Sequence, residues 1–217
     1  MVFLSYGNAM LIDYYKRFQA WMLAKFDSDS GYEEIMAARK KKLFAGLRGT
    51  IVEIGPGAGA NLHLYPKNIH WIGIEPNRFM HSYIKKEASK LGMKNMKLMT
   101  RSAEKLPFGN NSIDAVVSTL VLCTVYNQNK ALNEIHRVLK PGGRFIFVEH
   151  VAAHRKSWMR ILQTIVKPAW KVIADGCHPD RETLKAIRRI KFHQVKANRF
   201  SIYNTFVSPH IAGVAIK

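Results

Sequence analysis

At 217 residues with 47% hydrophobic content, the chain is long enough for one well-buried core and short for two. Its 34 Lys+Arg against 15 Asp+Glu give a net charge of +19, which favours anionic partners such as nucleic acid, an anionic membrane face or an acidic small molecule. No segment reaches the ~18 consecutive apolar residues of a membrane span, Met1 to Ile12 lacks the basic flank and cleavage site of a secretory signal, and Cys123 and Cys177 are too few for a disulfide framework.

Residues 1 to 48 read as a helical cap: Tyr14, Tyr15, Phe18, Met22 and Phe26 recur at helix-like spacing, and Tyr32 to Leu47 carries the basic run Arg39-Lys40-Lys41-Lys42. From Thr50, short apolar strands alternate with amphipathic stretches, as in βαβ units. Ile51 to Ile54, Trp71 to Ile74, Met96 to Met99, Ile113 to Leu122 and Arg144 to Glu149 are the first five strands. Helices are expected at Phe79 to Leu91 and at Asn127 to Leu139, the second stopped by the turn Lys140-Pro141-Gly142-Gly143. Ser157 to Ala174 is an amphipathic helix bent at Pro168, and a further helix starts with Asp180 as N-cap and runs to Ile190. Lys191 to Ala197 and His210 to Ile216 form an antiparallel pair that closes the sheet. The expectation is a single α/β domain over 1–217, with the cap at 1–48, a cofactor-binding core at 49–150, and acceptor-side helices with a strand pair at 151–217. Residues 151–217 hold 13 basic and 3 acidic side chains.

The run Val52-Glu53-Ile54-Gly55-Pro56-Gly57-Ala58-Gly59-Ala60-Asn61 turns an apolar strand into a glycine loop that opens a helix. Backbone that approaches a cofactor closely needs residues without a Cβ, and glycine supplies the φ > 0 conformations of the turn. Gly55, Gly57 and Ala60 also satisfy the relaxed dinucleotide fingerprint, so the loop alone leaves NAD and S-adenosylmethionine open. Glu75, at the end of the second strand, can accept hydrogen bonds from both ribose hydroxyls of either cofactor.

Three downstream segments decide between them: Ser102-Ala103-Glu104-Lys105-Leu106-Pro107-Phe108, Ser112-Ile113-Asp114-Ala115-Val116-Val117, and His136-Arg137-Val138-Leu139-Lys140-Pro141-Gly142-Gly143-Arg144-Phe145. In order and spacing, residues 50 to 150 resemble the class I S-adenosylmethionine-dependent methyltransferases. The resemblance implies a Rossmann-like, mostly parallel seven-stranded sheet with helices on both faces, and S-adenosylmethionine as cofactor with S-adenosylhomocysteine as product. It places Glu53, the loop Gly55, Pro56, Gly57 and Gly59, and Asn61 beside the amino acid part of the cofactor. Glu75, with Pro76 and Asn77, falls at the ribose; Ser102, Ala103 and Glu104 at the adenine edge; Thr119, Leu120 and Val121 under the methionine and sulfonium.

The subclass is read from the residues just after the fourth strand. The Asp/Asn-Pro-Pro-aromatic motif of base amino methylation is replaced by Ser118-Thr119-Leu120-Val121-Leu122-Cys123, and Cys123 lacks the preceding proline of cytosine C5 methylation. Neither a carboxylate cluster at strand ends nor zinc-type spacing of His and Cys is visible, so no metal site is expected. Thr119-Leu120-Val121-Leu122-Cys123, Glu149-His150-Val151-Ala152-Ala153, Pro168-Ala169-Trp170, Asp175-Gly176-Cys177 and Ser208-Pro209-His210-Ile211 resemble the methyltransferase-like seven proteins, membrane-associated alkyl-thiol S-methyltransferases. The N-terminus departs from that family's apolar anchor, so the membrane location does not transfer. The expectation is a cytoplasmic monomer, with peripheral association with an anionic membrane left open.

A thiol acceptor needs little beyond positioning and a positive site that enriches the thiolate. His150, at the carboxyl end of the fifth strand, is the candidate polarising or general-base group. Asp175 and His178, which flank Cys177, are further catalytic candidates. The helix around Trp158 to Trp170 reads either as a lid over an apolar acceptor or as a surface helix resting on lipid. A quinone, phenol or lipid amine stands behind the thiol as acceptor. Nucleic acid is disfavoured, because the basic charge comes without a recognition motif or an aromatic stacking set.

Overall fold

In the computed structural model, residues 2–26, 30–174, 176–203 and 205–217 are described. Seven strands form one sheet: β1 (Thr50–Ile54), β2 (His70–Ile74), β3 (Met96–Met99), β4 (Ile113–Thr119), β5 (Leu139–His150), β6 (Gln194–Ser201) and β7 (Pro209–Ile216). Their order is β3-β2-β1-β4-β5-β7-β6, parallel throughout except that β7 runs antiparallel to both β5 and β6. Strands β1 and β4 lie at the centre, covered on both faces, which is why their sequences are nearly continuous apolar runs.

The helices are α1 (Val2–Phe26), α2 (Ser30–Phe44), α3 (Met80–Lys90), α4 (Gln128–Val138), α5 (Trp158–Ile173) and α6 (Thr183–Arg189). On one face of the sheet, Leu132, Ile135 and Val138 of α4 and Leu184 and Ile187 of α6 pack with Phe145 and Phe147. On the other, Phe44 of α2 and Ile84 of α3 pack with Tyr65, Trp71 and Ile146. Asn127 caps α4 by accepting from the Lys130 N–H (3.0 Å). Arg137 on α4 binds Glu134 and donates to the Leu106 and Phe108 carbonyls, bracing the loop that follows β3.

Four details differ from the sequence expectation. β4 ends at Thr119 rather than Leu122, because Leu120 takes a left-handed φ of +58° that turns the chain out of the sheet. The residues Lys140 to Gly143 lie inside β5 as an irregularity between two registers rather than as a free turn. Gly142, at φ +77°, donates to the Lys217 carbonyl, and the Gly143 carbonyl accepts from Lys217. Asp180 does not cap α6: its carboxylate pairs with Lys167 (3.0 Å), and the helix begins three residues later. β6 extends to Ser201.

The amphipathic pattern of α5 is also used in an unexpected way. Its buried anchor is Gln163, which accepts from the Ala153 N–H and donates to the Val151 and Phe206 carbonyls. Trp158, Ile161, Ile165 and Val172 face outward. Helix α1 is fastened at two places: the Asn77 amide donates to the Lys16 carbonyl (3.1 Å) beside an Asp13–Arg78 ion pair, and the Tyr15 hydroxyl donates to the Val172 carbonyl of α5 (2.7 Å). Among the described residues, no helix is long and apolar enough to cross a membrane.

Candidate active site

The strand order reverses between β1 and β4, and a crevice at the carboxyl ends of such strands is where open α/β sheets hold ligands. A cavity of about 900 Å³ opens there. Gly55, Pro56, Gly57, Asn61, Glu75, Pro76, Asn77, Ser102, Ala103, Glu104, Thr119, Leu120 and Val121, the residues expected beside a cofactor, all line it. Gly55 has φ +58°, and a Cβ there would lie 2.5 Å from Val121 Cγ2. Gly57 has φ +56° with open space where its Cβ would be, a surface free for a ligand to approach.

Glu53 and Gly59, predicted to touch the cofactor, do not line the cavity. Glu53 lies one layer below, where its carboxylate accepts from Asn61 Nδ2 (2.7 Å) and Trp71 Nε1 (3.1 Å), and burial pushes its pKa up against those bonds. It holds Asn61 in place rather than facing the crevice. Gly59 is needed for packing, since a Cβ there would lie 2.9 Å from Leu62 Cδ1. Asn61 also donates to Thr119 Oγ1 (3.1 Å), bridging β1 and β4, and among the described residues its Oδ1 is buried without a hydrogen-bond partner. Glu75 accepts from the N–H groups of Gly57 (3.2 Å) and Asn77 (2.8 Å), so one carboxylate sets the shape of two lining loops.

The turn after β4 is shaped by Glu149, which sequence reasoning passed over. Its carboxylate accepts from Ser118 Oγ (2.5 Å), Val121 N–H (3.2 Å) and Leu122 N–H (3.1 Å). Burial raises its pKa to about 7, opposed by these bonds. The acid thereby fixes Leu120 in its left-handed conformation and Val121 against the glycine loop.

The far half of the cavity is walled largely by apolar groups, among them Met22, Trp170, Ile173, Ile202 and Val207. Three buried residues from separate elements meet there: Cys123 after β4, His150 at the end of β5, and Cys177 after α5. Their ligand-capable atoms all lie within 4.8 Å of one another, with His150 Nε2 2.8 Å from Cys177 Sγ. Trp170 Nε1 donates to the same sulfur (3.2 Å). The hydrogen bond from Cys123 holds Cys177 down to about 5 against burial, with His150 and Trp170 adding to it, and the same contact pushes Cys123 up.

His150 is therefore in the site, but its Nε2 is engaged by a sulfur rather than free to serve as a simple base. His178 does not line the cavity; burial, then Arg181, Lys171 and Lys167, lower its pKa. Asp175 lies outside the described residues. No zinc spacing is visible in the sequence because the three cluster members stand 27 residues apart and converge only through the sheet topology.

The glycine loop, the acid at the end of β2 and the strand order define a class I S-adenosylmethionine-dependent methyltransferase. Residues 52–147 match a methyltransferase domain family. The human thiol S-methyltransferase TMT1A is 37% identical over 198 residues, covering 86% of this chain and 81% of that protein. Mouse thiol S-methyltransferase TMT1B is 34% identical over 216 residues, covering 94% and 86%. A putative methyltransferase of Bacillus halodurans C-125 shares the fold, with a TM-score of 0.68 at 13% identity, covering 83% of this chain and 97% of that one. The chain belongs to the family of the thiol S-methyltransferases TMT1A and TMT1B.

Proposed function

We propose that the protein moves the methyl group of S-adenosylmethionine to the sulfur of a small apolar thiol, with the whole chain acting as one catalytic domain and as a monomer. The observation that carries this reading is the division of the cavity into a polar end (Asn61, Glu75, Glu104) and an apolar end that stops at Cys123, His150 and Cys177. The names of its relatives point the same way.

The polar end suits the cofactor. The unpartnered Asn61 Oδ1 offers an acceptor to an ammonium group, and the open face of Gly57, whose N–H is held by Glu75, leaves room for a ligand to lie against its Cα. Glu75 is placed to accept from ribose hydroxyls, Ser102 to Glu104 border the adenine, and Thr119 to Val121 flank the sulfonium. When bound, the cofactor supplies an electrophilic methyl group. The chain's own residues orient the acceptor for in-line attack and exclude water: Leu120 and Val121 border one side of the transfer path, and Trp170, Ile173 and Ile202 desolvate the thiol. A thiolate, not a thiol, is the nucleophile, so the cationic and hydrogen-bonding surroundings of the sulfur cluster favour the reactive form.

The exposed apolar side chains of α5 and those of α1 (Met10, Leu11, Tyr14, Phe18) form, with Lys156 and Lys171, a surface suited to resting on an anionic membrane, close to the source of apolar acceptors. The deciding assay presents purified protein and labelled S-adenosylmethionine with alkyl thiols, a quinol, phospholipid and bulk RNA. Labelled thioether is the expected product, and label in RNA alone would overturn the reading.

A further inference from the structure

We propose that Cys123 Sγ, His150 Nε2 and Cys177 Sγ bind a zinc ion whose fourth position faces the cavity and takes the sulfur of the acceptor. This deepens the thiol reading above and rests on it for the identity of the fourth ligand.

The donor set suits zinc. Two thiolates and an imidazole are the soft and borderline ligands that zinc selects, and three protein ligands with one open position are the arrangement of catalytic rather than structural zinc. Tetrahedral sulfur ligands at ~2.3 Å from zinc stand about 3.8 Å apart, and the three atoms already lie within 4.8 Å of one another. The His150–Cys177 contact of 2.8 Å would widen to about 3.5 Å around the ion.

Metal sites need neighbours that hold their ligands; here both cysteines have them, while His150 is placed by its strand and its Nδ1 is buried without a hydrogen-bond partner among the described residues. Trp170 Nε1 donates to Cys177 Sγ, as an indole N–H would to a metal-bound thiolate. Arg181 grips the Leu122 and Val125 carbonyls (2.6 and 2.7 Å) on either side of Cys123. The His178 N–H donates to the Cys123 carbonyl (2.9 Å), tying the two cysteine loops together. His150 is the last residue of β5, paired with His210 of β7. Each of the three ligands lines the cavity, so an ion among them has its remaining face toward the acceptor.

The reaction balances without any further reagent. The acceptor R–SH loses its proton to solvent as its sulfur binds the ion. A lone pair of that sulfur then forms the new C–S bond to the methyl carbon. The bond between that carbon and the sulfonium breaks, its electron pair going to the sulfur of S-adenosylhomocysteine. The product R–S–CH3 is a neutral thioether, a weaker ligand than the thiolate, and leaves. Overall, thiol and sulfonium become thioether, S-adenosylhomocysteine and one proton.

The test uses the full chain, produced with added zinc and without a histidine tag or chelator. Mass spectrometry of the metal should find about one zinc per chain, falling at least ~10-fold in Cys123→Ser and Cys177→Ser, while S-adenosylhomocysteine binding persists as a check on folding. A second measurement needs no variant: cobalt(II) loaded into the wild type should give a thiolate-to-metal charge-transfer band that shifts when hexanethiol is added. Folded wild type that binds S-adenosylhomocysteine yet takes up neither zinc nor cobalt, or whose two cysteines are found joined as a disulfide under these conditions, overturns the proposal. So does metal retained in both variants. Full-rate thiol methylation by metal-free protein sinks the zinc role and leaves the thiol reading standing, whereas bound zinc with no methylated thiol does the reverse.

Discussion

Replacing Gly55 by alanine should weaken the fold through one identifiable neighbour. The new methyl would lie 2.5 Å from Val121 Cγ2 and 3.0 Å from Cγ1, at a residue whose φ is +58°. A left-handed non-glycine residue costs roughly 1–2 kcal/mol, and overpacking adds about 1–3 kcal/mol. Gly57 provides the control, because it has nearly the same φ (+56°) and nothing within 4 Å of a Cβ. Gly57→Ala should therefore show the backbone cost alone, together with the larger loss of S-adenosylhomocysteine affinity, since its methyl would project into the ligand's space. Gly55→Ala should lose more stability, and Val121→Ala should restore the overpacking part, giving a coupling of about 1–3 kcal/mol in a double-mutant cycle. Urea denaturation of the four proteins and the wild type measures this, and calorimetry with S-adenosylhomocysteine measures binding. A coupling below ~0.5 kcal/mol, or equal stability loss at the two glycines, would show that Val121 does not press on residue 55.

Three further outcomes are expected. Glu75→Ala should raise the dissociation constant for S-adenosylhomocysteine by roughly 10–100-fold, the size of a lost charge-assisted pair of hydrogen bonds; unchanged calorimetry would remove Glu75 from the ribose. Glu149 carries a folded pKa of about 7 against 4.5, so the folded state binds its proton more tightly than the unfolded one. Its contribution to stability is intact below pH 4.5, falls as pH rises through the interval to about 7, and then levels off, a total of about 3 kcal/mol. Against Glu149→Gln in urea melts at pH 5 and pH 8, the wild type should lose about three quarters of that amount relative to the variant, and a constant difference would count against the burial of a titrating acid. Trp158→Ser with Ile165→Ser, at sites 68% and 69% exposed, should shift stability by no more than ~0.5 kcal/mol while reducing sedimentation with anionic vesicles; full retention on vesicles would remove α5 from the membrane reading.

The half of the cavity lined by the glycine loop, Glu75 and Ser102 to Glu104 was legible in the sequence as one site because its physics is local. A strand that breaks into glycines, an acid at the next strand's end, and Ser102-Ala103-Glu104 each announce themselves within a few residues. What escaped depends on contacts between distant segments. Glu53 looks like a ligand contact until Asn61 and Trp71 are seen to occupy its oxygens. Asp180 looks like a cap until Lys167 reaches it. Cys123 and Cys177, read separately, are two buried thiols with no motif; only the crossing of β4, β5 and the loop after α5 makes them a cluster with His150. Even α5, whose apolar periodicity was plain, could not show that its inward anchor is the polar Gln163.

Helix α1 bears on the shape of the chamber. It is tethered to the loop after β2 through Lys16 and Asn77 and to α5 through Tyr15 and Val172, while its own Gln19 and Met22 help line the chamber. Part of the chamber's wall is therefore supplied by a helix outside the sheet, and the same two hydrogen bonds and ion pair that seat α1 also hold the shape of that wall.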